Sequence, residues 1–146
     1  METWRTIAHY IEQVTGEPFD PRPPTDIGGG CINTAVKLSD ERRSFFVKLN
    51  EAGRLDMFAA EAEGLDEMAR TKTIRVPEPI CHGPVHGLAY LVIEYVDMGR
   101  PSGNAAEKAG RQLAAMHHIC REQFGWHRDN TIGSTHQSNA SDADWI

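Results

Sequence analysis

The sequence predicts an α+β domain built on an antiparallel sheet. Apolar residues recur at helical spacing in three separated segments, and strand-like runs fall between them. The resulting order is helix, three strands, helix, two strands, helix, which does not alternate as a parallel βαβ sheet would.

The first helix carries Trp4, Ile7, Ala8, Ile11 and Val14 on one face, and Gly16 with Pro18 stops it. A proline-rich connector, EPFDPRPPT, follows. Three strand-like pieces come next, at Asp26 to Gly28, Ile32 to Leu38 and Ser44 to Leu49. The polar turn SDERR makes the last two a hairpin. Leu55 to Arg70 reads as a helix with Leu55, Phe58, Ala59, Ala62, Leu65, Met68 and Ala69 on one face. The segment VPEPICHGPVHG brings prolines and glycines around a short strand. LAYLVIEYV is then nearly all apolar, as a buried central strand is. Asn104 to Arg121 is expected to be a helix with Leu113, Met116, His117 and Cys120 inward, ahead of a polar loop, FGWHRDNTIGSTHQSNASDADW.

The 146 residues are the size of one ordinary domain, and 40% hydrophobic with 25% charged residues is a globular composition. A net charge of −6 argues against a general nucleic-acid binder, which needs clustered Lys and Arg. No apolar run reaches the roughly 18–20 residues of a membrane span, and Met1 leads into amphipathic sequence, so neither a membrane segment nor a signal peptide is expected. Cys31, Cys81 and Cys120 are widely spaced and form no CxxC pair, which suits free thiols in a reducing cytoplasm.

The stretch TDIGGGCINTAVKL raises the functional question. It lacks the Lys-Ser or Lys-Thr of a P-loop. Asn33 stands where a dinucleotide fingerprint needs its third glycine, and a strand follows rather than a helix. A glycine turn between antiparallel strands covers ATP phosphates in kinase folds, but alone it is equally a plain hairpin turn. The next strand adds Lys48, which alternation puts on the face of Phe46, opposite Val47 and Leu49. A kinase uses such a lysine to hold the α- and β-phosphates, and the lysine needs a carboxylate from the following helix. At about 100° per residue, Glu61 falls on the margin of the apolar face near Phe58 and Leu65. Glu63 and Glu67 point well away, and Asp66 sits on the opposite margin. Glu61 is therefore the expected partner of Lys48. In YLVIEYV, the backbone of Glu94 to Val96 is placed like a hinge where adenine would take main-chain hydrogen bonds. A core strand with an edge would look the same.

With these residues in place, the sequence resembles the fructosamine (ketosamine) kinases, relatives of aminoglycoside and choline kinases. The resemblance rests on GGGCIN, FFVKLN, MFAAEAEGL, VPEPI, YLVIEYVDM, LAAMHH, FGWHRDNTIG and DADW, in family order over nearly the whole chain. It implies a protein-kinase-like N-terminal lobe, a five-stranded antiparallel sheet with a helix packed on it, plus the first helix of a truncated C-terminal lobe. It divides the chain into residues 1–96, a nucleotide-binding lobe, and 97–146, the hinge and the start of an incomplete lobe. It further implies ATP-dependent phosphorylation of the sugar 3-hydroxyl of fructosamines on glycated amines and proteins, amounting to deglycation. Gly28, Gly29, Gly30, Cys31 and Asn33 would form the nucleotide loop, Lys48 and Glu61 the ion pair, and Glu94 and Val96 the hinge.

One departure is large. The family's H-G-D-L-x-x-x-N segment and later metal-binding Asp, both in the C-terminal lobe, have no counterpart before Ile146. The HRDN run from His127 to Asn130 is no substitute, because Ser134 stands five residues after Asp129 where a metal-binding Asn is needed, and no D-F-G follows. Asp129 is assigned no catalytic role. The chain alone is thus expected to bind nucleotide at best weakly and to transfer no phosphate, with the ligands of Mg²⁺ lying in the missing lobe. Apolar surface around Leu113 and Met116 would favour association, as a homodimer or with a missing segment. Cys81, His82, His86, His117 and His118 lack structural-zinc spacing, CHGPVHG reads as a turn, and His117 reads as a core histidine, so no metal site is expected. Cys31 in its glycine turn is either a small filler or a thiol made redox-sensitive by nearby amides, able to form a Cys31–Cys31 dimer. Two functional classes stay open: a fructosamine-type kinase represented by its nucleotide lobe, and a non-catalytic nucleotide-binding or interaction module. A related small-molecule kinase of the aminoglycoside or choline type is a third reading.

Overall fold

The computed structural model of the chain describes residues 2–28, 32–100 and 103–144. Its elements run α1 (Glu2–Thr15), β1 (Thr25–Asp26), β2 (Thr34–Ser39), β3 (Ser44–Glu51), a short 3₁₀ turn (Ala52–Arg54), α2 (Leu55–Arg70), β4 (Pro79–Val85), β5 (Leu88–Glu94), α3 (Ala105–His117), β6 (Asn130–Ile132) and β7 (Thr135–Gln137). The first five strands form one antiparallel sheet in the order β1-β2-β3-β5-β4. LAYLVIE thereby lies between two neighbours, which is why nearly every side chain in it is buried.

The sheet is covered on both faces. On β3 the side chains alternate: Phe45, Val47 and Leu49 are buried with Ile7, Ala8 and Ile11 of α1, together with Val36, Leu38, Tyr90 and Val92. The other face takes Phe58 and Ala62 of α2 against Ala89, Leu91 and Ile93, with Phe46 packed alongside. The β2–β3 hairpin is pinned at its turn by Asp40, whose carboxylate accepts the amides of Arg42 (2.7 Å) and Arg43 (2.6 Å).

Several elements differ from the sequence-based expectation. The strand before the glycines is only Thr25–Asp26, although the Ile27 amide still bonds the Ala35 carbonyl at 2.9 Å, and β2 begins at Thr34 rather than Ile32. CHGPVHG is mostly strand. It forms an edge strand, where Pro84 costs no inner ladder bond, and only His86 and Gly87, both at positive φ, make the turn. Val14, in the last turn at the margin of its stripe, is 59% exposed. In α2 Ala60 is buried besides the expected Phe58 and Ala62, because the helix is also covered on the side away from the sheet, while Ala59 is half-buried and Ala69 exposed. α3 ends at His117 and has no buried residue. Leu113 is 42% exposed, and His117 and Cys120 are exposed too, because among the described residues no element packs over that face. His117 is therefore not a core histidine. The polar loop holds a small hairpin, β6–β7, and a bridge between Phe124 and Asp142. Among the described residues no helix is long and apolar enough to cross a membrane.

Candidate active site

Lys48 sits on β3 between Ala35 of β2 and Leu91 of β5, and its side chain leaves the sheet on the α2 face. The rigid centre of a sheet thus fixes the base of a charged side chain. One turn after Phe58, which anchors α2 to the sheet, Glu61 reaches back, and its Oε1 accepts a hydrogen bond from Lys48 Nζ at 2.5 Å. The two side chains are 23% and 31% exposed, so the pair is partly withdrawn from water yet open on one side. That setting strengthens a charge-assisted bond without the full cost of burying both ions.

Two residues beyond Lys48, Asn50 ties the same strand to the end of the glycine stretch. Its Nδ2 donates to the Ile32 carbonyl (3.1 Å) and to Asn33 Oδ1 (2.7 Å), and its own Oδ1 accepts the Glu51 amide. The turn's exit is therefore fastened to the lysine strand. Gly28 is exposed at the other side of the turn, with nothing within 4 Å of where a Cβ would be. Gly29, Gly30 and Cys31, including the redox reading of Cys31, lie outside the described residues. Glu94 is the last residue of β5, about 10 Å along the strand from Leu91, which faces Lys48, and Val96 lies two residues beyond it. The Glu94 amide bonds the Glu78 carbonyl at 2.7 Å and its carboxylate takes the Arg75 guanidinium, while Val96 is half-buried.

A cleft of about 1050 Å³ begins at Lys48 and Glu61 and extends along α2 past Met57 and Leu65 to Met116 and Trp126. Its far wall includes the β6–β7 turn, where Gly133 at φ +62° comes so close to Ile32 that a Cβ would lie 2.9 Å from that side chain. The hairpin turn thus touches the base of the glycine stretch.

The residues that sequence reasoning missed lie on the outer side of α2. Glu63 and Glu67, expected to point well away from the apolar face, hold the loop that follows α3. Glu63 takes Arg128 Nη1 at 3.1 Å and His127 Nε2 at 2.6 Å. Glu67 accepts Trp126 Nε1 at 2.8 Å and also pairs with Arg121, and Arg128 reaches Asp56 as well. The Glu63 hydrogen bond, reinforced by Asp56, raises the Arg128 pKa above its ordinary value against the opposing effect of burial. The available signal was complementary charge: basic and aromatic residues in WHRD against acidic residues seven and four apart on one helix stripe. The Asp129 carboxylate is engaged in the hairpin, accepting the Asn139 amide at 2.9 Å and facing His136 Nε2 at 3.3 Å. His86 bonds Thr6 Oγ1, and Cys81 packs half-buried beside Tyr90.

A divalent cation needs several oxygen ligands. Near Lys48 the carboxylate of Glu61 is already committed, and no group of three His, Cys, Asp or Glu among the described residues is placed to hold a metal ion. These residues suit a phosphate-bearing ligand at Lys48, and they do not by themselves form a Mg²⁺ site.

An antiparallel sheet whose central lysine is clasped by a glutamate of the flanking helix, after a glycine stretch, defines a protein-kinase-like N-terminal lobe. The fructosamine kinase family model matches residues 3–146, and the chain belongs to that family. It is 48% identical over 143 residues to a protein of Synechocystis named as a probable ketoamine kinase, covering 97% of this chain and 48% of that protein. It is 46% identical over 123 residues to a chloroplastic protein-ribulosamine 3-kinase of Arabidopsis thaliana, covering 82% of this chain and 37% of that protein. A crystal structure described as a 'putative fructosamine-3-kinase', from Haemophilus somnus, superposes with a TM-score of 0.91 at 25% identity, over 99% of this chain and 49% of the other. The chain spans about half the length, or less, of these relatives.

Proposed function

We propose that this chain is the nucleotide-binding part of an ATP-dependent kinase that phosphorylates the 3-hydroxyl of ketosamines, such as fructosamines, on glycated amines or proteins, and so serves deglycation in the cytoplasm. The Lys48–Glu61 pair carries this reading, together with the names of the relatives. In it, residues 1–96 form the nucleotide lobe and residues 97–146 begin a second lobe.

Each residue then has a physical task. The Lys48 ammonium holds the α- and β-phosphate oxygens, while Glu61 keeps that ammonium from turning into solvent. Amides of the stretch from Gly28 to Cys31 approach the phosphates, and Asn33, clasped by Asn50, fixes where that stretch leaves. Main-chain groups from Glu94 to Val96 receive adenine. Mg²⁺, when bound with the nucleotide, would supply charge neutralisation at the phosphates, and the described residues around Lys48 offer no cluster of ligands for it. Phosphoryl transfer is nearly all positioning and charge stabilisation, so this half alone binds nucleotide and does not transfer phosphate.

The test is calorimetric titration of the chain with Mg-ATP, beside Lys48→Met and Glu61→Gln. Wild type should bind weakly, Lys48→Met should lose about tenfold or more, and Glu61→Gln should lose less, as expected for one charge-assisted contact and its support. Equal affinity in all three would overturn the nucleotide reading. Formation of a 3-phosphorylated fructosamine by the chain alone would overturn the assignment of catalysis to the remainder.

A further inference from the structure

We infer that the loop after α3 is a latch that sets the position of α2, with Arg128 and Trp126 acting as positioning residues for the Lys48–Glu61 pair. The inference rests on reading that pair as the phosphate-holding element. Little else fixes the helix. Against the sheet, α2 buries only Phe58 and Ala62, with Ala89 among their strand partners, while Leu55, Met57 and Leu65 pack there half-buried. Alanines remove little apolar area from water and interdigitate poorly, so this seam resists separation better than it resists sliding or rotation. Directional bonds are needed to fix the angle at which Glu61 faces the sheet.

The outer stripe of α2 supplies them. Asp56, Glu63 and Glu67 follow at spacings of seven and four, which puts them on one face, about 200° around the helix from Glu61 in the case of Glu63. Arg128, only 25% exposed, spans two turns of that stripe by bonding both Asp56 and Glu63, and Trp126 Nε1 adds Glu67 one turn further on. A guanidinium with two partners and an indole N–H with one define rotation and axial register together. The loop is itself held, since Asn139 bonds the Arg128 carbonyl (3.2 Å), Asn130 Oδ1 (2.9 Å) and, through its amide, Asp129, and the Trp126 amide bonds the Asn139 carbonyl. Its hairpin turn also abuts Ile32 at the glycine stretch. One loop therefore touches both parts of the site that Lys48 joins.

Acylation of Lys48 by an N-hydroxysuccinimide ester, read by peptide mass spectrometry, tests this without nucleotide, because acylation needs a free amine that a carboxylate clasp holds back. Glu61→Gln sets the value for full release. The Arg128→Ala/Trp126→Phe double variant should speed Lys48 labelling on the order of threefold, and should add nothing further in a Glu61→Gln background. Arg128→Lys should return part of the protection, and Arg22→Ala, at an exposed pair with Glu41, should change nothing. Trp126→Phe alone provides a milder variant, and unchanged amide exchange in α1 reports an intact fold. Labelling of Lys48 that ignores the latch variants, or that adds fully to Glu61→Gln, would overturn the latch. Latch-dependent labelling with Mg-ATP affinity indifferent to Lys48→Met would keep the latch and remove only the nucleotide reading.

Discussion

On the α1 face of the sheet, twelve described residues are buried together with no charged side chain among them; on the α2 face, five are buried and Lys48 shares their surface. The two faces are made by alternate residues of the same strands. Phe45, Val47 and Leu49 look one way along β3, and Phe46, Lys48 and Asn50 the other. The face with the larger apolar core is therefore separated by one backbone layer from the face that carries the Lys48–Glu61 pair. A helix resting on an apolar seam can be held by burial alone. A helix that must present Glu61 at a chosen angle has less apolar seam and more polar fastening, as the pairs of Glu63 and Glu67 illustrate.

The largest expected effect separates the faces directly. Ile11 is fully buried under α1, and Ile11→Ala should cost about 2–5 kcal/mol in urea unfolding, from lost burial plus the cavity left behind. Lys48→Met, at a pair still open to water on one side, should cost no more than about 1 kcal/mol. Mg-ATP affinity should respond in the opposite order. The separation of the two faces fails if Lys48→Met destabilises as much as Ile11→Ala does.

A smaller effect concerns the thiol that borders the α1 face. Burial raises the Cys81 pKa to about 11 from an ordinary 9.0, partly opposed by a hydrogen bond with Tyr90, and burial raises Tyr90 as well. A group whose folded pKa is raised stabilises the fold below its unfolded value, and that contribution is lost as pH rises towards the folded one. Stability should thus fall between about pH 9 and 11, by less than about 3 kcal/mol from Cys81. Cys81→Ala should remove this early part of the fall and leave the part due to Tyr90. At neutral pH, iodoacetamide should modify exposed Cys120 well before Cys81. An alkaline profile identical in Cys81→Ala would show that the thiol is not coupled to this face.

What was legible in the sequence follows the same division. The helical stripes, the β2–β3 hairpin, the central strand and the choice of Glu61 for Lys48 came from periodicities that burial imposes, and they reappear in the structure. Where an element's partner is not part of the periodic pattern, the reading failed. Leu113 and His117 were given an inward side that no described element covers. Glu63 and Glu67 were placed well away from the apolar face and given no partner, because the loop that binds them is polar and carries no period, and pairing between segments some sixty residues apart leaves no mark in either one alone. In CHGPVHG, proline and glycine signalled a turn, whereas an edge strand tolerates both.

The smallest effect belongs to the turn that joins the two faces' shared strands. Burial alone would push the Asp40 carboxyl up, but the amides of Arg43 and Arg42 and their two charges outweigh it, and its pKa lies below the ordinary carboxylate value. With a depressed folded pKa, the stabilisation is present above the unfolded value of about 3.9 and is lost as pH falls through the folded one. Asp40→Ala should cost about 1 kcal/mol at pH 7, the usual worth of satisfying such turn amides, and less at acid pH. Asp40→Asn keeps an oxygen acceptor, so it should retain part of the stability while flattening the acid slope. Because the turn precedes both Val47 and Lys48, its loss should weaken the fold without changing Lys48 labelling. A selective rise in that labelling would mean that the hairpin turn, and not the strand's central position in the sheet, holds the lysine in place.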